Sequence, residues 1–408
     1  MKKKLTLGLV GFGCVGQGLY RVLTETQGLE TEIRKICIKH PEKSRSLPTA
    51  YFTTQREELL GDPEIDVIVE LIDDADTAWE IVQQALQRGK AVVTANKKMV
   101  ATHLDELRVL ETKYGRPVLY EGAVCGSIPI IRNLEEYYDN DRINRLEGIV
   151  NGSTNYILTK VSEEGKSYAE ALGEAQVNGF AESDPTLDVE GYDPTFKLSI
   201  LLTHAFGLRV RPEELIRVGI HRLSAADLSF AKANHLRIRL VAGAYRHGDK
   251  LIALVAPRFV PDTHALYSVR NEFNAVSVEG LFAEEQLFVG KGAGGNPTGS
   301  AVLSDISALR YDYRYEYRKT TQESRPEYSL DATVEVVVSC APSVRISPED
   351  FVRFKGGERN RETHRLQGEV TLSTLADWSR RDDISIILAP GAIPKPVEVP
   401  KQEELAAA

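Results

Sequence analysis

The first twenty-odd residues constrain this chain more than any other stretch. Lys4–Val10 is a short, mostly apolar run rich in Leu and Val, the pattern of a buried strand. It leads directly into Gly11-Phe12-Gly13-Cys14-Val15-Gly16, and a helical pattern follows through Leu23. Strand, glycine-rich turn and helix in that order start a crossover unit and so a parallel sheet. Further strands are expected at Ile33–Ile38, Ile65–Leu71, Ala91–Thr94 and Pro117–Tyr120, with a helix at Ala78–Arg88 closed by Gly89. Strands alternating with helices predict a doubly wound α/β domain.

The pattern Gly11–Gly16 fits G-x-G-x-x-G in the context that gives it meaning, after a strand and opening a helix. Gly11 would allow the tight turn, Gly13 the approach of a pyrophosphate to the backbone, and Gly16 close packing of helix on strand. Phe12, Cys14 and Val15 complete the loop. The phosphates would sit on the helix N-terminus, where free N–H groups and the dipole favour anions. This predicts a nicotinamide dinucleotide. Strand two ends Cys37-Ile38-Lys39-His40, without the acid that usually accepts from an NAD ribose. Lys39, Lys43 and Arg45 lie there instead, which suits the 2′-phosphate of NADP and leaves NAD open.

After about residue 130 the alternation stops. Strands are expected at Arg145–Val150, Ile238–Tyr245, Leu251–Arg258 and Ala275–Val278, and helices at Asn155–Ser162, Tyr168–Asn178 and Asp193–Phe206. That is an α+β domain with a mostly antiparallel sheet. A second glycine-rich loop, Gly290–Gly299, precedes a helix at Ser300–Leu309. The expected division is a Rossmann-type dinucleotide domain over 1–130 plus 297–315, a second domain over 131–296, a small module over 327–390 with a strand at Ala332–Ser339, and a poorly ordered proline-bearing tail over 391–408.

Composition excludes several classes. With 408 residues the chain has room for two or three domains and a large core. A net charge of −9 without a basic stripe argues against nucleic acid and anionic membranes. Cys14, Cys37, Cys125 and Cys340 are scattered, as reduced thiols would be, and the eight histidines form no HxxxH or HxH pair. The N-terminus resembles a signal peptide only superficially, because its apolar run ends in the glycine turn with no small-residue cleavage site. No run approaches the ~20 apolar residues of a membrane span. A cytoplasmic location is the expectation.

The richest chemistry lies in Gly179–Leu202, GFAESDPTLDVEGYDPTFKLSILL. Glu182, Asp184, Asp188, Glu190 and Asp193 precede an amphipathic helix. Asp193-Pro194 is expected to start it, with Asp as N-cap and Pro at the first helical position. Lys197 follows four residues on, on the same face. The set suits a proton-handling carboxylate–ammonium pair, or a grip on the ammonium of an amino acid, or a capped helix with an incidental surface pair.

This segment closely resembles the signature of homoserine dehydrogenases, G-[YF]-x-E-x-D-P-x-x-D-x-x-G-x-D-x-x-x-K. GFGCVG at 11–16, TANKK at 94–98, EGAVCGSIPII at 121–131, NGSTNYIL at 151–158 and GKGAGGNPTGSAV at 290–302 agree, in the family's order. The resemblance covers residues 1 to about 315. It implies reversible NAD(P)-dependent reduction of L-aspartate 4-semialdehyde to L-homoserine, in threonine and methionine biosynthesis, by a homodimer joined through the second domain. It also implies roles. Lys197 matches the proton-transfer lysine, Asp193 its acidic partner, and Lys97 a second active-site lysine beside the cofactor. Thr94 and Lys97 match a loop at the nicotinamide, and Gly294 the loop that closes over the dinucleotide. Glu182 and Asp188 match substrate-binding carboxylates; Gly152 and Ser153 match a turn near the substrate. Glu121, Val124, Gly126 and Ile128 match a monovalent-cation site for Na+ or K+. The competing readings are an NAD(P) oxidoreductase for another small aldehyde and a non-catalytic dinucleotide sensor.

Some features depart from the family or stay bland. Many bacterial members end in a regulatory amino-acid-binding ACT module, whose D-x-P-G-V-L-type turn is missing from 327–390; this puts feedback by threonine in question and leaves a structural module, a diverged regulator or part of an oligomer interface as readings. No aspartokinase segment precedes residue 1, so a monofunctional chain is expected. Phe180 replaces a frequent tyrosine. His204 reads as a satisfied core residue, Cys14 and Cys125 as packing, and Tyr311–Tyr317 as a strand or an interface.

Overall fold

The computed structural model describes residues 4–26, 29–45 and 47–397. Its first sheet has six parallel strands, β1 (Leu5–Val10), β2 (Thr31–Cys37), β3 (Phe52–Thr53), β4 (Val67–Glu70), β5 (Ala91–Thr94) and β6 (Val118–Leu119). They lie in the order β3-β2-β1-β4-β5-β6. This is the doubly wound arrangement expected from the sequence, with the two-residue edge strand β3 added. Strand order reverses between β1 and β4, so a crevice opens above their carboxyl ends, the ligand position of open α/β sheets. β4 is buried along its whole length, which is why it reads as an unbroken apolar run closed by an acid, Glu70.

Helix Cys14–Glu25 leaves the glycine loop and crosses helix Gly295–Leu309 very closely. A Cβ on Gly18 would lie 2.0 Å from the Gly295 carbonyl oxygen, and one on Gly299 2.5 Å from the Leu19 nitrogen. Glycine at these positions lets the returning chain pack against the first helix. Helix Lys97–Tyr114 was not expected, although its ends are signposted. The Asn96 side chain caps the Met99 N–H, and Gly115 closes the helix at φ 65°.

The second sheet is mostly antiparallel. Its main path runs Glu284–Lys291, Phe273–Gly280, Ile143–Ile149, Arg237–His247, Lys250–Val260, Ile384–Leu388, Ala332–Cys340, His364–Thr371 and Arg353–Arg359. Helices Gly152–Glu164 and Tyr192–Phe206 pack on it. The C-terminal strands belong to this same sheet, joined where Arg258 pairs in parallel with Leu388. In chain order those four strands stack 4-1-3-2, the ferredoxin-like β-α-β-β-α-β plan. The first helix of that plan is reduced to the single turn Pro348–Asp350, whereas the second is present as Leu372–Trp378.

Three expectations need correction. Asp193 is not the N-cap: helix Tyr192–Phe206 is capped two residues earlier, on Gly191 at φ 84°, and Asp193 falls in the first turn with its side chain free to point inward. Tyr311–Tyr317 forms no strand; Tyr315 and Tyr317 are buried by packing on Tyr120 and His204. The start of the tail is ordered, since Lys395–Pro396 pairs with Ala332–Thr333; residues 398–408 lie outside the described residues. No helix among the described residues is long and apolar enough to cross a membrane.

Candidate active site

The glycine loop has the geometry that a dinucleotide needs. Gly11 sits at φ +100°, and a Cβ there would meet the Leu71 carbonyl oxygen at 2.6 Å. A Cβ on Gly16 would lie 2.7 Å from the Gly11 carbonyl oxygen. Around Gly13 nothing approaches within 4 Å. Two glycines are thus required by packing and the third leaves open space in front of a helix N-terminus. Phe12 is buried, Cys14 exposed and Val15 half-buried. Gly294 takes φ +115° at the start of its helix, and Gly295 behind it packs on the Cys14 carbonyl. The two glycine-rich segments therefore share one wall.

Past the carboxyl end of β5 lies a charge cluster that is buried except for Lys97, which is partly exposed. Lys97 Nζ is 2.7 Å from Asp193 Oδ1, and Lys197 Nζ is 2.7 Å from Asp193 Oδ2. Lys197 also donates to the Val150 carbonyl at 2.6 Å. Asn151 Nδ2 donates to Asp193 Oδ2 at 2.8 Å and to Asp188 Oδ1 at 2.6 Å. Burial alone would raise the Asp193 carboxyl, but the two ammonium groups outweigh it and hold the acid far below its usual range. The Asp193 charge in turn raises Lys97 against burial. Burial, with the neighbouring Asp193 charge, lifts Asp188 above its ordinary value. One carboxylate thus orders two lysines, one from each half of the chain.

Other expected residues divide. Gly152 and Ser153 open helix Gly152–Glu164 next to Val150 and Asn151, so their first-turn N–H groups face the cluster's neighbourhood. The Ser153 hydroxyl is taken up by the Phe180 carbonyl at 2.5 Å. Glu182 is exposed, with no bond to the cluster. Thr94 is fully buried and spends its hydroxyl on Glu70 at 2.5 Å. Lys39 is exposed past β2, and Arg45 bonds the Lys43 and His40 carbonyls at 2.7 and 2.8 Å. The sequence reading missed Asn151 and Glu70. Asn151 caps its helix through Oδ1, accepting from Thr154 N–H, while its Nδ2 ties two acids together. Glu70 ends β4 at the switch point, and burial pushes its carboxyl up to about 7. An acid closing an apolar strand beside a glycine loop was its signal.

Residues 129–307 match the family model for homoserine dehydrogenase, and residues 11–121 match the homoserine dehydrogenase NAD binding domain. The homoserine dehydrogenase of Bacillus subtilis is 40% identical over 321 residues, 76% of this chain and 74% of that protein. The chain belongs to the homoserine dehydrogenase family. The enzyme of Lactococcus lactis is 37% identical over 313 residues. Among solved structures, a homoserine dehydrogenase from Thiobacillus denitrificans superposes with a TM-score of 0.83 at 28% identity, covering 95% of this chain and 98% of that one. A hyperthermophilic archaeal homoserine dehydrogenase in complex with NADPH has a TM-score of 0.67 at 27% identity; 77% of this chain covers all of it. As a homoserine dehydrogenase the chain is a nicotinamide-dependent oxidoreductase acting on a small molecule, in keeping with a family of amino-acid biosynthesis.

In this homoserine dehydrogenase the segment joining the two halves, Tyr120–Pro129, is itself unusual. The Glu121 carboxylate is buried and accepts the N–H groups of Ile131 and Arg132 at 2.8 and 2.9 Å. Burial lifts it to about 7. Asp305 lies behind it, accepting the Glu121 N–H at 2.8 Å, and its other oxygen has no hydrogen-bond partner. Among the described residues no donor reaches the buried carbonyls of Val124 and Gly126, whereas that of Ile128 accepts from Ile130 at 2.8 Å.

Proposed function

We propose that Lys197 is the proton donor and acceptor at the substrate oxygen, that Asp193 anchors and aims its amine, and that Lys97 completes the pair from the dinucleotide side. The observation that carries this reading is the single buried carboxylate of Asp193 within 2.7 Å of both ammonium groups. Nicotinamide supplies or takes the hydride. The residues then have to handle the charge that develops on oxygen. A fixed ammonium polarises an aldehyde oxygen and protonates the alkoxide as it forms. For homoserine oxidation Lys197 must instead accept the hydroxyl proton, so this direction is favoured at alkaline pH. The substrate's own ammonium suits Asp188, with Glu182 able to approach from its exposed loop, and its carboxylate suits the N–H groups of Gly152 and Ser153.

The dinucleotide is placed over Gly11–Gly16 with its pyrophosphate at Gly13, where the open space fits it. Thr94, Lys97 and Gly294 would border the nicotinamide end. Lys39 and Lys43 support NADP over NAD, because the fork of Arg45 is spent on its own loop. A monovalent cation, Na+ or K+, fits the hinge. Glu121 offers a buried carboxylate, Val124 and Gly126 offer carbonyls without donors, and Ile128 adds a fourth oxygen; Asp305 behind them has one oxygen without a hydrogen bond, with the Arg132 guanidinium 4.0 Å from it. The ion would fix the hinge rather than take part in chemistry. The protein works in the cytoplasm as a homodimer in this reading.

Initial rates of nicotinamide reduction with L-homoserine at alkaline pH, with NADP and with NAD, test the reaction and the cofactor together. Lys197→Ala is expected to lower kcat by at least about a hundredfold while leaving NADPH binding intact. Equal loss of both would defeat the assignment.

A further inference from the structure

Fifteen residues form the helix Tyr192–Phe206 that carries Asp193 and Lys197 near its N-terminal end. Its other end carries His204, fully buried and far from the charge cluster. His204 Nδ1 lies 2.6 Å from Glu135 Oε1, and its Nε2 lies 2.9 Å from the Tyr120 hydroxyl. Glu135 comes from helix Ile130–Glu136; it also accepts the backbone N–H groups of Glu316 and Tyr317, both at 3.1 Å. Burial opposes ionisation of Glu135, but the hydrogen bonds it receives from His204 and from the Tyr317 and Glu316 N–H groups outweigh it and keep the carboxyl below its usual range. With Glu135 as acceptor, Nδ1 is the donor and Nε2 is left to take the Tyr120 O–H. That hydroxyl also meets Tyr317 Oη at 2.8 Å, and the Tyr120 backbone N–H donates to Tyr315 Oη at 3.3 Å. Tyr120 is wholly buried and immediately precedes Glu121, so it stands at the point where the chain leaves the dinucleotide sheet for the second domain.

We propose that Tyr120 and His204 are positioning residues: the hydroxyl–imidazole bond fixes the far end of helix Tyr192–Phe206 to the hinge, and thereby sets where Asp193 and Lys197 stand relative to Lys97. The proposal rests on the reading of Asp193 and Lys197 as the proton-handling pair. At its near end this helix meets the dinucleotide half through the Lys97–Asp193 pair, and at its far end through Tyr120. Arg209, just past the helix, adds a fastening at the surface, with its guanidinium on the Ala101 carbonyl at 2.8 Å and 3.3 Å from the exposed Asp105. The lever is long. Eleven residues separate Asp193 from His204, about 16 Å along the axis. A tilt of about 4° at the far end therefore displaces Asp193 by about 1 Å, a misplacement that can cost about a hundredfold in rate. Neither residue reaches the reacting atoms, so both act through the helix.

The test compares two hydroxyl deletions in one ring stack. Tyr120→Phe removes the bond to the helix, whereas Tyr317→Phe removes a buried hydroxyl that meets Tyr120 and Glu111 and makes no hydrogen bond to His204. Homoserine-oxidation kcat, NADPH affinity by nicotinamide fluorescence and thermal unfolding are measured for both. The expected result is a kcat at least about tenfold lower in Tyr120→Phe, NADPH affinity within about twofold of the parent, and a kcat near the parent's in Tyr317→Phe. An unchanged kcat in Tyr120→Phe overturns the proposal. So does an equal loss in both variants, which would mean general loosening of the core, or an NADPH affinity that falls in step with kcat. If Tyr120→Phe does not accumulate as folded protein, His204→Gln and His204→Leu replace it. Gln keeps an acceptor for the hydroxyl and should retain most of the kcat that Leu loses, and equal losses overturn the proposal. Lys197→Ala, run alongside, reads the proton-pair assignment separately. If it keeps kcat, that assignment falls and the proposal with it, whereas a failure confined to Tyr120→Phe leaves the assignment standing.

Discussion

Replacing Asp193 by Asn tests the centre of the site most directly. The substitution keeps the shape and one oxygen acceptor but removes the charge that both lysines contact directly. The N···O distances of 2.7 Å imply charge centres about 4 Å apart, and at an effective dielectric constant near 20 each pair is worth about 4 kcal/mol. Lys97 is partly exposed, so solvent screens its share of that attraction. The sign follows from what oxidation requires. Asp193 raises Lys97, and homoserine oxidation needs a proton acceptor at the substrate hydroxyl. Without the carboxylate that support for the charged form is gone, and the oxidation rate should turn on at lower pH. Its plateau should fall because the amine is no longer aimed. In the reducing direction the donor is lost earlier, so the rate should fall off at lower pH. The assay is kcat against pH for both directions, in parent and variant. A lower plateau with no movement of the pH limb in either direction would refute the electrostatic part of the reasoning. Stability gives a second check. Asp193 has a depressed folded-state value, so its contribution is present above the unfolded carboxylate range and lost as pH falls through and below about 4. Asp193→Asn should therefore lower stability near neutrality by about 3 kcal/mol and flatten the acid side of the unfolding profile.

Two further outcomes are open to measurement. Gly13→Ala should fold normally, because its Cβ enters open space, yet bind NADPH much more weakly; Gly11→Ala should instead unfold more easily, by at least about 1–3 kcal/mol, because its backbone is strained and a carbonyl blocks the Cβ. Comparison of NADPH affinity with urea midpoints separates the two, and equal effects on both would contradict the glycine assignments. Glu121, lifted from 4.5 to about 7, favours the folded state most while protonated, and about 3 kcal/mol is lost as pH rises from about 4.5 through about 7, where it ionises. Na+ or K+ should therefore raise the melting temperature more at pH 8.5 than at pH 6, relative to choline at the same ionic strength. A choline curve that overlays the others at both values would leave the hinge without a cation site.

What the sequence disclosed, it disclosed through period and spacing. β1, β4 and β5 are apolar on both faces and could hardly read otherwise, and the three glycines of the first loop have separate structural reasons that the spacing alone suggested. The i, i+4 relation of Asp193 and Lys197 placed both on one face. It could not show that Lys97, nearly a hundred residues earlier, would reach the other oxygen of the same carboxylate, because that contact depends on how the two halves dock. Asn151 was hidden for a similar reason. As a helix cap it looks ordinary, and its second role appears only when residues 188 and 193 arrive. The strands Phe52–Thr53 and Arg353–Arg359 carry too little apolar periodicity to be seen. Their backbone pairing is decided by neighbouring strands rather than by their own side chains.

The C-terminal strands pose the last question, because the sequence relatives and the solved structures treat them differently. The Bacillus subtilis enzyme matches 76% of this chain by sequence, whereas the Thiobacillus denitrificans structure covers 95%, so likeness of fold extends over more of the chain than likeness of sequence. The archaeal enzyme is complete within 77% of this chain. It would be easy to conclude that the module is dispensable here. Its attachments argue otherwise. Ile384–Leu388 joins the central sheet beside Lys250–Val260, whose residues 251–260 are all buried. Ser339 Oγ donates to the buried Asp227 at 2.6 Å, and Arg222 bonds the Ser379 carbonyl at 2.8 Å and Asp382 at 2.9 Å. The Arg365 guanidinium lies 4.3 Å over the Phe230 ring. A chain ended at residue 330 would leave part of a long apolar strand edge unpaired, which invites edge-to-edge association. It would also leave Asp227 with one fewer partner, a loss of about 1–3 kcal/mol for a buried acceptor. Such a chain should retain every residue of the charge cluster and yet melt lower and aggregate on concentration, as read by thermal unfolding and light scattering. A monodisperse truncated enzyme with the parent's melting temperature would show that the catalytic sheet closes by itself, and that the module's docking is a consequence of the fold rather than a condition for it.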